Sequence, residues 1–123
     1  MAETLQELLG LAGYAVDVAR SGPEGIACAR QFQPELVICD IGLPGMDGYQ
    51  VARILRQEPA TAGAHLIALS GYAQEEDLQR SREAGFNWHL KKPVEFSELI
   101  RVLQQLPSPD RCLAVAQPDR LSG

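Results

Sequence analysis

Leu36-Val37-Ile38-Cys39 is an unbroken apolar run that stops abruptly at Asp40. A strand with no polar residue on either side of its pleat must be covered on both faces, which happens almost only in parallel sheets flanked by helices. The run therefore requires other strands of the same kind, joined by crossover helices. Two more follow: Leu66 to Leu69, closed by Ser70-Gly71, and Asn87 to Leu90, closed by Lys91-Lys92-Pro93.

The segments between these runs have helical periodicity. Leu5, Leu8, Leu9 and Ala12 recur at i, i+3, i+4 and i+7, and Gly13 stands where that helix should stop. Tyr14 to Val18 alternates weakly and reads as a short strand. Ser21-Gly22-Pro23 then starts a helix running to about Gln33, with Pro34 interrupting it. Val51, Ile54 and Leu55 share one helical stripe. Gln74 to Glu83 reads as a mostly exposed helix stopped by Gly85, its acidic Glu75, Glu76 and Asp77 suiting a first turn. Phe96, Leu99, Ile100 and Leu103 line the last helix, with Ser97 and Glu98 facing out. The order αβαβαβαβα predicts an α/β doubly wound parallel sheet. Residues 1–106 are read as that domain. Residues 107–123, opening with Pro107-Ser108-Pro109-Asp110, are read as a linker-like tail holding a short apolar patch, Cys112 to Ala116.

Composition removes several classes of function. The chain has 123 residues, enough for one core, and 11 basic against 16 acidic side chains give a net charge of −5. Lys91 and Lys92 are its only lysines, so no basic face for nucleic acid is expected. No apolar run approaches the ~20 residues of a membrane span, and a cytoplasmic location is expected. Cys28, Cys39 and Cys112 fit neither a disulfide framework nor a metal-binding spacing, and Cys28 and Cys39 read as small core residues.

In doubly wound sheets the reactive edge lies beyond the carboxyl ends of the strands. Asp40, Ser70 and Lys92 occupy such ends on three successive strands, 30 and 22 residues apart (70 − 40 and 92 − 70). Singly, each has a plain structural use, as a cap, a turn residue and a solvated cation. Together, a carboxylate, a hydroxyl and an ammonium suit phosphoryl transfer to the carboxylate. Asp40 would be the nucleophile, Lys92 the charge facing the phosphoryl oxygens and Ser70 a hydroxyl donor. Asp40 and the Gly42 carbonyl alone offer little negative charge for Mg²⁺.

Asp40-Ile41-Gly42-Leu43-Pro44-Gly45-Met46-Asp47-Gly48-Tyr49, Leu69-Ser70-Gly71-Tyr72 and His89-Leu90-Lys91-Lys92-Pro93 closely resemble the receiver domain of two-component response regulators, especially receivers attached to hybrid histidine kinases. The resemblance spans Ala2 to about Leu106 and implies a flavodoxin-like receiver fold. It implies that Asp40 accepts a phosphoryl group from a histidine kinase or a phosphotransfer protein, that Ser70 and Lys92 contact it, and that the Gly42 carbonyl ligates Mg²⁺. The switch aromatic of the family falls on His89, a departure from Tyr or Phe. Phosphorylation would draw in Ser70, close the following loop, turn His89 inward and change the face of the fourth helix, last strand and last helix toward a downstream protein partner. A signalling module rather than an enzyme is expected.

Receivers open with a central strand ending in two acidic residues that hold Mg²⁺. Counting back from Asp40, that pair would precede Met1. The expected fold thus lacks its first, central strand, and two strand edges would stand open to self-association. Three accounts follow: a truncated sequence, which is favoured; a phosphorylation-independent pseudo-receiver; or Cys112 to Ala116 folding back into the vacant place, ranked last because the segment is short and brings no acidic pair. A haloacid-dehalogenase-type phosphohydrolase would need a second Asp where Gly42 stands. A flavodoxin-like cofactor binder would need a phosphate-cradling loop after the first strand, and a metal enzyme would need ligands closer than His65, His89 and the cysteines.

Overall fold

The computed structural model describes residues 2–43, 45–92, 94–106 and 111–115. Ten elements alternate along it: α1 (Ala2–Leu11), β1 (Ala15–Ala19), α2 (Gly22–Phe32), β2 (Leu36–Asp40), α3 (Gly48–Gln57), β3 (His65–Ser70), α4 (Glu75–Ala84), β4 (Trp88–Lys91), α5 (Phe96–Leu103) and β5 (Arg111–Val115). The strands form one parallel sheet in the order β1-β5-β2-β3-β4. Among the described residues, no helix is long and apolar enough to cross a membrane.

Local chemistry sets the boundaries. Ser21 caps α2 by accepting from the Glu24 amide at 3.2 Å, with Pro23 in the first turn, where its missing N–H costs nothing. Gln33 ends α2 in the left-handed region, and Gly13 and Gly85 end α1 and α4 there. Asp47 and Gln50 form a reciprocal capping box on α3, at 3.0 and 3.1 Å.

Each sheet face buries its own layer. Ile26, Ala29, Val51, Ala52 and Leu55 from α2 and α3 pack with Val37, Cys39, Leu66, Ala68, Leu113 and Val115. On the other face Leu9 of α1 and Leu99 and Val102 of α5 pack with Leu36, Ile38, Ile67, Leu69, Leu90 and Cys112. Successive strand residues point to opposite faces, so the run Leu36 to Cys39 feeds both layers, and all five residues of β2 are buried.

For the C-terminal segment the structure bears out the account ranked last, a fold-back into the vacant strand place, and corrects the linker reading. Arg111–Val115 is not linker but the central strand, paired with β1 from Ala15↔Arg111 to Ala19↔Val115 and with β2 from Leu36↔Cys112 to Cys39↔Val115. The place read as vacant is filled, and the two inner edges expected to stand open are both hydrogen-bonded. Length was no obstacle, because β1 and β2 also have five residues and β4 has four. Cys112, Leu113, Ala114 and Val115 are at most 1% exposed, so the small patch supplies core to both faces. The remainder of that tail, 107–110 and 116–123, lies outside the described residues. A second difference concerns β4, expected to be fully buried. It is the sheet's outer strand, with only Leu90 buried.

Candidate functional site

Asp40 is the last residue of β2 and 2% exposed. A carboxylate so deep needs partners on both oxygens. The Gly42 amide donates to Oδ1 at 3.0 Å, and the Lys92 ammonium meets Oδ2 at 2.8 Å. The lysine side chain keeps 16% of its surface in solvent, so the pair lies at the boundary of the core, with the carboxylate on its inner side. Charge-assisted bonds at this distance are about twice as strong as neutral ones.

Backbone contacts place both partners. The Lys92 amide donates to the Ser70 carbonyl at 2.8 Å, which ties the residue after β4 to the end of β3. The Ile41 amide donates to Leu69 at 2.9 Å and the Gly48 amide to Ile41 at 3.0 Å, folding the β2–α3 loop over the strand ends. Gly48 is required there: a Cβ would lie 2.7 Å from the Asp40 carbonyl oxygen and 2.8 Å from the Ile41 Cα, both backbone atoms that cannot give way. The sequence reading gave Gly48 no role beyond its place in the segment Asp40 to Tyr49. Its position directly before the stripe Val51, Ile54 and Leu55 was the available signal.

Ser70 is 5% exposed, and its Oγ accepts from the Tyr72 amide at 3.0 Å. The hydroxyl proton of Ser70 is thus free of that bond, while its oxygen holds the first turn of the β3–α4 loop. His89 reaches the same loop from β4. Its Nε2 lies 2.9 Å from the Tyr72 carbonyl, which can only accept, so Nε2 carries the proton. In the neutral ring Nδ1 then accepts from the Ser81 hydroxyl at 2.6 Å. His89 is therefore a two-ended tie between the loop after Ser70 and α4. No sequence spacing announced Ser81, eight residues before His89 in the chain.

Arg56 also escaped sequence reading. It donates to the carbonyls of Ala62 and Ala64 and to Gly85 and the Asn87 side chain, at 2.6 to 3.0 Å, while Asn87 Oδ1 accepts from the Leu66 amide at 2.8 Å. This network fixes the amino ends of β3 and β4, and hence the carboxyl ends that carry Ser70 and Lys92. His65 packs beside Trp88 with centroids 6.1 Å apart and ring planes tilted by 45°, a contact at the amino ends of β3 and β4. Cys39 and Cys112 are buried and Cys28 partly so, and burial pushes all three thiols up.

Among the described residues, no group of three or more His, Cys, Asp or Glu side chains could hold a metal ion. Asp40 with the Gly42 carbonyl is one carboxylate and one neutral oxygen. The carboxylates of Asp47 and Asp77 are taken up as helix caps, accepting from the amides of Gln50 and Gln74. Magnesium demands near-octahedral oxygen ligation, and this donor set does not fit it.

Residues 1–104 match the family described as response regulator receiver domain. The chain is 38% identical over 105 residues to the transcriptional regulatory protein HprR of Escherichia coli, covering 85% of this chain but 46% of that protein. It is 32% identical over 99 residues to protein PilH of Pseudomonas aeruginosa, covering 80% of this chain and 82% of that one. The crystal structure of the receiver domain of sensor histidine kinase PA1611 from Pseudomonas aeruginosa, with a magnesium ion coordinated in its active site cleft, superposes with a TM-score of 0.75 at 29% identity, covering 84% of each chain.

Proposed function

Because this chain belongs to the response regulator receiver family, the signalling modules of two-component systems, we propose that Asp40 is its phosphoryl acceptor. The donor is a phosphohistidine on a histidine kinase or phosphotransfer protein. The observation that carries this reading is the buried Asp40 carboxylate at a strand end, 2.8 Å from Lys92 and open to solvent on the lysine side.

In the transfer, an Asp40 oxygen forms the new bond to phosphorus as the phosphorus–nitrogen bond of the donor breaks. The electron pair leaves with the imidazole, which takes a proton from water. The charge gathered on the equatorial oxygens faces the Lys92 ammonium, and the Ser70 hydroxyl has a proton to give to one of them. That donation turns Ser70 away from the Tyr72 amide and loosens the loop whose carbonyl His89 holds. His89 then exchanges the Tyr72 contact for the space Ser70 has left, and the face of α4, β4 and α5 changes its offer to a downstream protein. The Tyr72 side chain is exposed in the loop that leads to α4.

Incubation with acetyl phosphate or with a phosphorylated histidine-containing donor, followed by intact mass measurement, tests the proposal. One phosphoryl group is expected on the native chain and none on Asp40→Asn. The single carboxylate of the site favours a second reading, a phosphorylation-independent pseudo-receiver that binds its partner through the same face. Partner binding undiminished in Asp40→Asn, together with no labelling by either donor, selects it.

A further inference from the structure

We propose that Lys92 is the only cation among the described residues with which Asp40 works, and that phosphoryl transfer to Asp40 gains nothing from Mg²⁺. The proposal rests on Asp40 as the phosphoryl acceptor and concerns how that site is charged.

The charge count is short. Asp40 contributes −1 and Lys92 +1, both within one contact of 2.8 Å, so the site presents no net negative charge to a divalent cation. Both Asp40 oxygens already receive a donor, one from Lys92 and one from the Gly42 amide. A magnesium ion would have to displace the ammonium, and it would then find one carboxylate where it needs more. The acidic side chains nearest in sequence on the following helix are not available, since Asp47 caps α3.

The neighbouring strand explains the shortage. β5 lies directly beside β2, in register from Leu36↔Cys112 to Cys39↔Val115, so its carboxyl end comes up next to Asp40. A strand in that position is the natural source of further ligands. Here its last described residues are Leu113, Ala114 and Val115, buried among apolar side chains. Among the described residues, the strand that completes the sheet brings no carboxylate. The same holds for the reaction: as the bond from Asp40 to phosphorus forms and the donor's bond breaks, the ammonium is the cation that faces the developing charge, with the Ser70 hydroxyl as its neutral donor.

The test uses the full chain with acetyl phosphate, whose acetate leaves with the electron pair of the broken phosphorus–oxygen bond. Labelling is followed by intact mass in EDTA and in millimolar Mg²⁺, and Mn²⁺ binding is read independently from its electron spin resonance signal. The native chain is expected to label at the same rate in both media and to bind no Mn²⁺ that Asp40→Asn removes. A Mg²⁺-dependent rate in the native chain, or Mn²⁺ binding lost on Asp40→Asn, overturns the proposal. If no donor labels Asp40 at all, the phosphoacceptor reading fails, and the Mn²⁺ measurement still decides the question of the cation.

Discussion

Gly25 of α2 faces β5, and a methyl group added there measures whether the C-terminal strand sits where the structure places it. A Cβ on Gly25 would lie 2.9 Å from each γ-carbon of Val115 and 3.5 Å from its β-carbon. Carbon atoms in good contact are about 3.5–4.0 Å apart, so Gly25→Ala forces an overlap of roughly 0.6–1.1 Å on two atoms at once. Overpacking of this kind costs about 1–3 kcal/mol. Against it stands the helix preference of Ala over Gly, about 1 kcal/mol. Gly25→Ala in the native background is therefore expected to range from neutral to about 2 kcal/mol destabilising.

The background Val115→Ala reverses the sign. It removes both offending carbons, at a cost of about 1.6 kcal/mol for two methyl groups before any cavity term. The nearest remaining atom, the β-carbon at 3.5 Å, is in ordinary contact. In that background Gly25→Ala should stabilise by up to about 1 kcal/mol, its helix preference alone. The coupling between the two sites is then about 1–3 kcal/mol, read from urea unfolding of the four chains by far-ultraviolet circular dichroism. If Gly25→Ala stabilises equally in both backgrounds, Val115 does not face α2, and the central position of β5 is wrong.

Deleting residues 107–123 removes the strand that pairs with both β1 and β2, so the shortened chain is expected to lose its cooperative melt or to associate through the freed edges; an unchanged melt of a monomer would refute this. Lys92→Met leaves the Asp40 carboxylate buried without its counter-ion and should cost about 3–5 kcal/mol in chemical unfolding, with Asp40→Asn in the same chain recovering part of it. Burial pushes the Cys112 thiol up to about 12 from an ordinary 9.0. The native state thus keeps a proton that the unfolded chain releases, so this contribution is full below pH 9 and is lost as pH rises toward 12. The fall in melting temperature over that window should be smaller in Cys112→Val. His89→Phe removes both ends of the tie to Ser81 and Tyr72, and hydrogen exchange in the β3–α4 loop should quicken; unchanged protection there would show that the tie is idle.

How far the sequence could be read depended on whether a feature was local. Leu36 to Cys39 declared a doubly covered strand because every residue in it is apolar, and Gly13, Pro34 and Gly85 marked helix ends because their backbone chemistry acts within a turn. Asp40, Ser70 and Lys92 were legible as neighbours on one edge because strand ends of a parallel sheet share it, and the structure brings Lys92 to Asp40 and ties its backbone to Ser70. Ser81 and Arg56 were illegible, since their partners are chosen by the packing of α4 and α3 and not by spacing.

The misreading of Arg111–Val115 has a physical cause that explains the site as well. Four of its five side chains, Cys112 to Val115, are apolar, and so short an apolar run after a Pro-Ser-Pro stretch has no local pattern that separates a tail from a strand. What makes them a strand is the pair of half-ladders that β1 and β2 present to each other across an interval one strand wide, and that demand is visible only once the other four strands are placed. Pairing and burial ask for a backbone and for apolar side chains; neither asks for a carboxylate. A segment can therefore satisfy the sheet completely while, among the described residues, the edge at Asp40 holds one acid and one base, so integrity of the fold and binding of a divalent cation can be measured separately. The Gly25–Val115 coupling reads the first, and the response to Mg²⁺ reads the second.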